Sequence, residues 1–409
     1  MIGFFIIKIS FYKGYTLISL LFKPVIHFKI YKSVTDLPDT WDALPTNNLF
    51  LKTPFLKALE YSCPKNFNTN YVAIFNDNTL VGITIIQRVK LYLDDVFRNP
   101  TNNALKRLTK ALIASVVRGN ALIIGNLMHT GQHGLYYNTK MISQTLFLDT
   151  IFKVIDALSF QIKKEDNKRV RIICFKDYFE TDCIHQNQHL FTKNKLYKLQ
   201  VQPNMVLDII PSWSSSQDYV LALNKKYRSR YKSALKKATN VIKKELDLNE
   251  INTASKDIYS LYKNVSDNAK VNSFVLDIRH FFYLKKELQQ DFRLFGYYLN
   301  DQLIGFYTLI LNNNQLETYF LGYNPDFQSK YQLYLNMLYD MLDFAIVNGF
   351  KKVVYARTAM EIKSSVGAKP NAMNIYIKHT DNFILNPTLK YIVNTLNPAS
   401  KWEERHPFK

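Results

Sequence analysis

A run of two strands joined by a tight turn, followed by a third strand, a helix and a fourth strand, occurs twice in this chain of 409 residues. The first hairpin covers residues 71–86 and the second covers residues 294–311. Their turns read Asn-Asp-Asn-Thr-Leu-Val-Gly and Asn-Asp-Gln-Leu-Ile-Gly, which differ by one inserted residue; Asn and Asp are common turn residues. A duplication of this size constrains the fold, because both copies must build the same small sheet.

Each hairpin is followed by the same three elements. A strand, a helix and a strand are predicted at residues 121–125, about 147–163 and 169–175, and again at 316–321, about 331–347 and 352–356. In both helices, apolar residues recur at every third or fourth position, which is the helical period. The first copy has an additional basic helix at about 103–117.

These elements predict an α/β (α+β) fold with two tandem domains, each a mixed sheet flanked by helices. The predicted boundaries are an N-terminal extension at 1–24, a first domain at 25–215, a second domain at 216–380 and a C-terminal tail at 381–409. The extension is apolar but contains Lys8 and Lys13, and we expect it to be poorly ordered. Alternatively, the extension is an anchor that lies at a membrane surface. An amphipathic helix is predicted in the tail from Asn386 to Leu396, and contact with a membrane surface is the alternative to its packing against the core.

Positive charge predicts a polyanionic partner, because the net charge is +20 from 53 basic and 33 acidic side chains. The excess is concentrated between Tyr219 and Lys244, where nine Lys and Arg residues occur without one acidic residue. Helical spacing of Tyr227 and Tyr231 predicts one long basic helix over residues 218–244. No Glu offsets its charge at i,i+4, so the helix is either a solvated face or a contact for a phosphate-bearing partner.

The chain has three cysteines, and their spacing indicates neither disulfides nor a metal site. Cys63, Cys174 and Cys183 form no CxxC pair, which predicts neither a disulfide framework nor a zinc ribbon. Cys183 with His185 and His189 lacks an evident fourth ligand, so we predict no metal. We expect a reducing, cytoplasmic compartment. Association with the membrane surface is an additional hypothesis.

The order of hairpin, strand, loop, helix and strand resembles the core of the GNAT acyltransferases. Two such cores in tandem resemble the FemAB-type aminoacyltransferases and the related peptidoglycan-biosynthesis-like acyltransferases, over about residues 25–380. The basic run at 219–232 looks like the Lys/Arg helix that opens the second domain in that group. The resemblance implies acyl-CoA as co-substrate, with aminoacyl-tRNA as the alternative. GNAT enzymes usually bind the coenzyme A pyrophosphate with a glycine-rich loop, but the corresponding stretch here, 324–332, has no glycine pair.

Three residues are the candidates for catalysis. Glu317 stands in an otherwise apolar strand, where burial would raise its pKa toward that of a general base. His133, in the Gly- and His-rich loop 125–134, is an alternative base near neutral pH. The resemblance implies that Tyr323 donates a proton to the leaving thiolate.

Four cationic residues are the candidates for binding the cofactor. Arg357 lies where a strand meets a helix, a usual place for ligand contacts in α/β sheets, and could clamp a phosphate or carboxylate. Lys330 lies in the loop without glycines, and Arg228 and Arg230 lie in the basic run.

Two classes of function follow. The first is an N-acyltransferase that moves an acyl group from a thioester donor to an amine, with an amino lipid at a membrane surface as one acceptor. Its FemAB-like version uses aminoacyl-tRNA and a cell-wall precursor, but the long helical hairpin usual in that group is not evident. The second class is a non-enzymatic basic protein that binds a membrane or nucleic acid on a degenerate GNAT scaffold. Nucleic acid is the weaker partner, because no recognised RNA-binding motif is evident.

Overall fold

The computed structural model describes residues 7–12, 15–20, 25–91, 118–268, 274–381, 383–389 and 402–409. Its strands are β1 (Ile7–Tyr12), β2 (Tyr15–Leu20), β3 (Ile26–Tyr31), β4 (Phe67–Asn76), β5 (Thr79–Leu91), β6 (Gly119–Ile124), β7 (Leu135–Tyr137), β8 (Val170–Phe179), β9 (Tyr197–Asp208), β10 (Ile242–Glu245), β11 (Phe292–Leu299), β12 (Gln302–Asn312), β13 (Gln315–Tyr323), β14 (Lys352–Ala356) and β15 (Lys369–His379). Its α-helices are α1 (Thr53–Tyr61), α2 (Gln144–Asp166), α3 (Gln188–Lys193), α4 (Ser216–Ala222), α5 (Lys225–Lys237), α6 (Leu248–Thr253), α7 (Ser255–Asp267), α8 (His280–Leu288), α9 (Pro325–Tyr331), α10 (Leu333–Val347) and α11 (Met360–Ser364).

One mixed sheet runs through both halves of the chain. Its strands lie side by side in the order β10-β11-β12-β13-β14-β9-β15-β8-β6-β5-β4-β3, and β7 pairs with β5 beside this path. In the first half, β3 to β6 are antiparallel neighbours and β6 pairs with β8 in parallel. In the second half, β10 to β13 are antiparallel neighbours and β13 pairs with β14 in parallel. The duplicated mixed-sheet architecture predicted from the sequence is therefore confirmed.

The two halves exchange their last strands. β9 belongs to the first half in sequence but pairs with β14 of the second, with Met205 opposite Ala356. β15 belongs to the second half but pairs with β8 of the first, with His379 opposite Ile172. β9 and β15 also pair with each other at the centre of the sheet. Neither half thus completes its sheet alone.

Three apolar cores hold helices against this sheet. α2 packs on the first half through residues such as Ile151 and Leu158. α10 packs on the second half through residues such as Leu335 and Leu342. A third core includes buried residues of both α1 and α8 and so joins the two halves. Burial of each such side chain contributes about 1.5–3 kcal/mol of hydrophobic free energy.

The single basic helix predicted over residues 218–244 is wrong. α4 ends at Ala222, and the chain is extended at Leu223 and Asn224 before α5 begins. The Asn224 side chain accepts a hydrogen bond from the backbone N–H of Tyr227, so it caps α5 and fixes the break. After α5 the chain returns to the sheet as β10, which the periodicity had assigned to the helix.

Thr358 and Glu361 have the sequence spacing of a capping box, which predicts a helix that begins after Thr358, but the structure forms no such box. Thr358 and Ala359 have φ of 65° and 46°, and α11 begins at Met360 without a side-chain cap. A left-handed residue at the cap position cannot place the Thr358 hydroxyl on the first turn. The helix predicted at 331–347 begins at Leu333, because Gln332 with φ of 48° separates it from α9.

The chain ends differ from expectation where they are described. β1 and β2 pair as an antiparallel hairpin in a two-stranded sheet, where the sequence predicted poor order. The basic helix predicted at 103–117 lies outside the described residues, as does the predicted C-terminal helix beyond Leu389. In the described part of the chain, no helix is long and apolar enough to cross a membrane.

Candidate active site

β13 and β14 separate soon after they meet. They pair in parallel only as far as Glu317 and Val354, whereas β13 continues to Tyr323. A β-bulge in β13, opposite the segment from Tyr307 to Leu309, changes its direction there. The gap between the strands holds a cavity of about 460 Å³. Its walls are largely aromatic, and they include Tyr262, Phe274, Tyr319, Phe320, Tyr323 and Tyr334. We call this cavity the cleft; its shape and lining suit a slender organic ligand.

Glu317 occupies the last paired position of β13, one residue before Thr318, which lines the cleft. Its side chain is buried, with 5% of the residue exposed, rather than facing solvent at a sheet edge. Burial raises the pKa of Glu317 to about 8, and a hydrogen bond with the Asn312 side chain opposes this rise. A carboxyl that titrates near pH 8 can accept a proton from an amine in weakly alkaline solution.

His133 comes from the first half and meets Glu317 there. Its Nε2 lies 3.9 Å from Oε1 of Glu317. Burial, together with the smaller effect of the charge of Lys176, lowers the pKa of His133 to about 3. The imidazole is therefore neutral at pH 7. The structure thus brings together two sequence-predicted residues that are 184 positions apart in the chain.

Two asparagines set the tautomer of His133. Asn48 Oδ1 accepts hydrogen bonds from the backbone N–H of Phe50, at 3.3 Å, and from Nδ2 of Asn312, at 3.4 Å. The Nδ2 of Asn48 is therefore the donor to Nδ1 of His133, at 3.1 Å. Because Nδ1 accepts, the ring proton is on Nε2, the nitrogen nearest Glu317. Sequence reasoning missed both asparagines; the only signal for Asn312 is a polar residue ending an apolar strand.

The loop 125–134 that carries His133 is fixed by backbone contacts. Nζ of Lys176 donates to the carbonyls of His129, at 2.7 Å, and Gly131, at 3.4 Å. A Cβ on Gly134 would lie 2.3 Å from Cα of Gly125, so glycine is needed where the two ends of the loop meet. Close packing of the chain against itself therefore accounts for Gly134.

Tyr323 lies at the open end of β13 and lines the cleft. Its ring centroid is 6.3 Å from that of Tyr334 on α10. Burial raises the pKa of Tyr323, so its hydroxyl keeps its proton at neutral pH. In a regular strand, Glu317 and Tyr323 would face the same side. The bulge between them breaks this alternation.

Arg357 follows β14 and lines the cleft from the other side. It pairs with the buried carboxylate of Asp177 on β8, which links the two halves. Asp177 lies two residues beyond the last residue of β8 that pairs with β6, and Ala356 lies two residues beyond the last residue of β14 that pairs with β13. The two positions therefore correspond, and their φ angles are 60° and 59°. Burial lowers the pKa of Arg357 to about 10, so it stays charged at neutral pH.

Lys363 is a cleft residue that sequence reasoning missed. Its Nζ donates to the carbonyls of Ala356, at 3.2 Å, and Arg357, at 2.5 Å. Burial lowers its pKa to about 7. Lys363 thereby holds the left-handed segment that presents Arg357. The sequence gave no signal for it, because its role depends on the unusual backbone of residues 356–359.

The other predicted cationic residues are not gathered in the cleft. Arg230 on α5 lines a neighbouring pocket. Arg228 donates to the carbonyls of Leu221 and Leu223, at 3.4 and 2.8 Å, and so supports the break between α4 and α5. Lys330 is exposed on α9, with Nζ 5.1 Å from the ring centroid of Tyr331. Within the described residues, no group of three His, Cys, Asp or Glu side chains could hold a metal ion.

Residues 225–364, which include the cleft, match the family model described as an acetyltransferase (GNAT) domain. This part of the chain, about a third of its length, is therefore similar to a GNAT domain. No curated protein matches its sequence.

Among solved structures, FemX has a fold similar to that of this chain. The two align with a TM-score of 0.50 and 11% identity, over 90% of this chain and 99% of FemX. A tandem GNAT protein from the clavulanic acid biosynthesis pathway aligns with a TM-score of 0.47 and 8% identity, over 87% and 98% of the two chains. The C-terminal domain of a putative lysylphosphatidylglycerol synthetase from Agrobacterium fabrum aligns with a TM-score of 0.43 and 8% identity, over 79% and 88%.

Proposed function

We propose that this protein transfers an acyl group from acyl-CoA to an amine. The observation that carries the proposal is the buried carboxyl of Glu317, with a pKa of about 8, on β13 directly before Thr318, where that strand begins to line an aromatic cleft. An amine must lose a proton to attack a thioester carbonyl, and a carboxylate in this position can take it. No covalent intermediate on the protein is required.

In the proposed reaction, the amine nitrogen forms a bond to the thioester carbonyl carbon and the carbon–sulfur bond breaks. Glu317 takes the proton released by the amine. Beyond Glu317, β13 no longer pairs with β14, so backbone N–H groups on that side of β13 can donate to the carbonyl oxygen as negative charge develops. Tyr323 gives its proton to the leaving thiolate.

In this proposal, His133 does not act as the general base. An imidazole with a pKa of about 3 has little affinity for a proton at neutral pH. Its Nε2–H is directed by Asn48 toward Glu317, where it stabilises the carboxylate form and holds its orientation. His133 is therefore a positioning residue in the proposed mechanism.

Arg357 is the proposed contact for an anionic group of the donor or acceptor. It lines the cleft, remains charged and is held between Asp177 and the segment fixed by Lys363. Arg228 and Lys330 were predicted for the same task, and their positions outside the cleft give less support to it.

An amino lipid at an anionic membrane is the acceptor that we propose. An exposed surface supports it: Phe383, Ile384 and Phe160 are 93%, 70% and 71% exposed. Phe160 and the cations Lys163 and Arg169 line one shallow pocket with the segment that precedes Phe383. Exposed aromatic side chains beside Lys and Arg are typical of surfaces that bind an anionic bilayer.

The test is thiol release from acyl-CoA by purified protein in the presence of amines. Acetyl-CoA and palmitoyl-CoA are each offered with soluble amines and with vesicles that contain an amino lipid. Amine-dependent release that is lost in Glu317→Gln and kept in Glu165→Gln, an exposed carboxylate on α2, supports the proposal. Transfer only from aminoacyl-tRNA would favour the FemAB-like alternative, and no transfer from any donor would favour a non-enzymatic binding protein.

A further inference from the structure

A second concave site adjoins the cleft. It has a volume of about 580 Å³, and Ala359 and Ile362 line both cavities. α5 supplies Lys226 and Arg230 to its wall, and the C-terminal segment 402–409 supplies Trp402 and Arg405. We call this site the basic pocket. Its contact with the cleft makes the two cavities a continuous surface for one extended ligand.

Charge in the basic pocket is not balanced by protein carboxylates. Glu361 lines it, but Glu361 pairs with Arg405. Neither Lys226 nor Arg230 pairs with a carboxylate in the part of the chain that the structure describes. Two cations facing a concave site without a counter-ion attract an anion, and phosphate is the anion that Lys and Arg bind best.

The C-terminal segment fixes the geometry of this pocket. Leu223 forms a β-bridge with Phe408, and the backbone N–H of Asn224 donates to the carbonyl of Pro407, at 2.8 Å. The backbone N–H of Arg405 donates to Oγ of Ser364, at 3.0 Å. The segment thus ties the start of α5 to α11, so the cations from both elements are held around one space.

The loop before α10 is poorly suited to hold a diphosphate. It lacks a glycine pair, and the backbone N–H of Tyr334 in the first turn of α10 already donates to Oε1 of Gln328, at 2.9 Å. At least one of the amides that would point at an anion is therefore occupied by the chain itself.

We propose that the basic pocket binds the phosphate groups of the thioester donor through Lys226 and Arg230, while the acyl-bearing arm lies in the cleft. This inference rests on the proposed function. Side-chain cations here replace the backbone amides of a glycine-rich loop. Trp402 offers an aromatic face in the same wall, suited to stacking with a nucleobase.

The test measures binding by calorimetry, so it does not depend on catalysis. Coenzyme A is compared with pantetheine, which has the same thiol arm without phosphates. In the double variant Lys226→Gln/Arg230→Gln we expect binding of coenzyme A to weaken by about 10- to 100-fold, as loss of charge-assisted hydrogen bonds implies. Binding of pantetheine should not change. The matched control is Lys225→Gln/Lys232→Gln, which removes two exposed cations from the same helix.

Several outcomes separate this inference from the proposed function. Equal loss of coenzyme A affinity in both double variants would overturn it, since general charge and not the pocket would then matter. Binding to vesicles that contain phosphatidic acid is measured in parallel. If Lys226→Gln/Arg230→Gln weakens binding to the vesicles but not to coenzyme A, the pocket binds lipid phosphate and the assignment to the donor is overturned. Pocket-dependent coenzyme A binding without transfer to any amine would uphold the pocket and defeat the proposed function. Equal thermal midpoints of the variants establish that each is folded.

Discussion

Oε1 of Glu317 and Nε2 of His133 lie 3.9 Å apart, and the two residues belong to different halves of the duplicated chain. Burial disfavours charge on both groups: it raises the pKa of the carboxyl to about 8 and lowers that of the imidazole to about 3. At neutral pH they meet mainly as a neutral pair. The carboxylate that catalysis requires forms only as the pH approaches 8.

The rate of acyl transfer should therefore depend on pH through Glu317. Because a general base acts in its deprotonated form, kcat/KM should rise with pH and level off above about pH 8. Glu317→Gln should lower kcat/KM by roughly 10²- to 10⁴-fold and abolish this inflection. A profile of kcat/KM against pH for both proteins checks this. An unchanged inflection in the variant would assign it to another group.

The stability of the protein should change in the opposite sense. The folded pKa of Glu317, about 8, is above its ordinary value of 4.5. Between these pH values the unfolded chain releases the proton while the folded chain retains it, so the free energy of unfolding falls as pH rises. Glu317→Gln lacks this loss and should be more stable than wild type at pH 8, by on the order of 1 to a few kcal/mol.

Urea unfolding of Glu317→Gln and wild type at pH 4.5, 6 and 8 measures the difference. The advantage of the variant should grow with pH across the series. Glu165→Gln, at an exposed position on α2, should show no such trend. A constant difference between Glu317→Gln and wild type would mean that the carboxyl titrates normally in the folded protein.

Asn312 should tune the pH at which the enzyme becomes active. Its hydrogen bond favours the carboxylate form of Glu317 and so holds the pKa below the value that burial alone would give. Asn312→Ala should therefore move the inflection of the pH–rate profile to higher pH. Asn314→Ala, at an exposed turn position just after β12, is the control. A shift to lower pH in Asn312→Ala would contradict the assigned hydrogen bond.

The exchange of strands predicts which fragments fold. Residues 216–409 lack β9, so β14 and β15 both lose their shared neighbour. Residues 197–409 include β9 and retain the order from β10 through β14 and β9 to β15. We expect a cooperative thermal transition, followed by circular dichroism, for the longer fragment and none for the shorter. Cooperative folding of both would show that the exchange is dispensable for the second half.

The exposed surface around Phe383 should bind anionic membranes. Phe160→Ser/Phe383→Ser should weaken binding to vesicles of anionic lipid by about 100-fold, because each inserted aromatic side chain contributes at least about 1.4 kcal/mol. Ile242→Ser removes an apolar side chain of similar exposure, 68%, on β10, and should have little effect. Sedimentation with vesicles measures both. Equal binding of the two variants would exclude this surface as the contact.

The sequence was sufficient for the repeated elements and insufficient for their connections. The pattern of apolar residues located α2 and β11 to β14 well, because each is a continuous or periodic apolar run bounded by turn residues. It could not show that β9 and β15 cross between the halves, since strand partners depend on contacts distant in sequence. It joined α4, α5 and β10 into one helix, although Asn224 carried a usable capping signal.

For the site, the sequence indicated individual residues but not the contacts between them. Glu317 was detectable as a carboxyl in an apolar strand, and His133 as a histidine in a glycine-rich loop. Their contact was not detectable, and neither were the roles of Asn48 and Lys363, which depend on tertiary hydrogen bonds. Arg357 was predicted from its position after a strand, but its partner Asp177 lies in the other half.

The exchanged strands also affect whether one copy of the duplicated unit can be lost. In the first half, the loop 125–134 lies against β8, at the place that corresponds to the cleft of the second half. A redundant copy would ordinarily be free to disappear by deletion. Here deletion of the first copy would remove β9 from beside β14, and deletion of the second would remove β15 from beside β8. We therefore expect both copies to persist, because neither can be deleted without removing a strand from the sheet of the other.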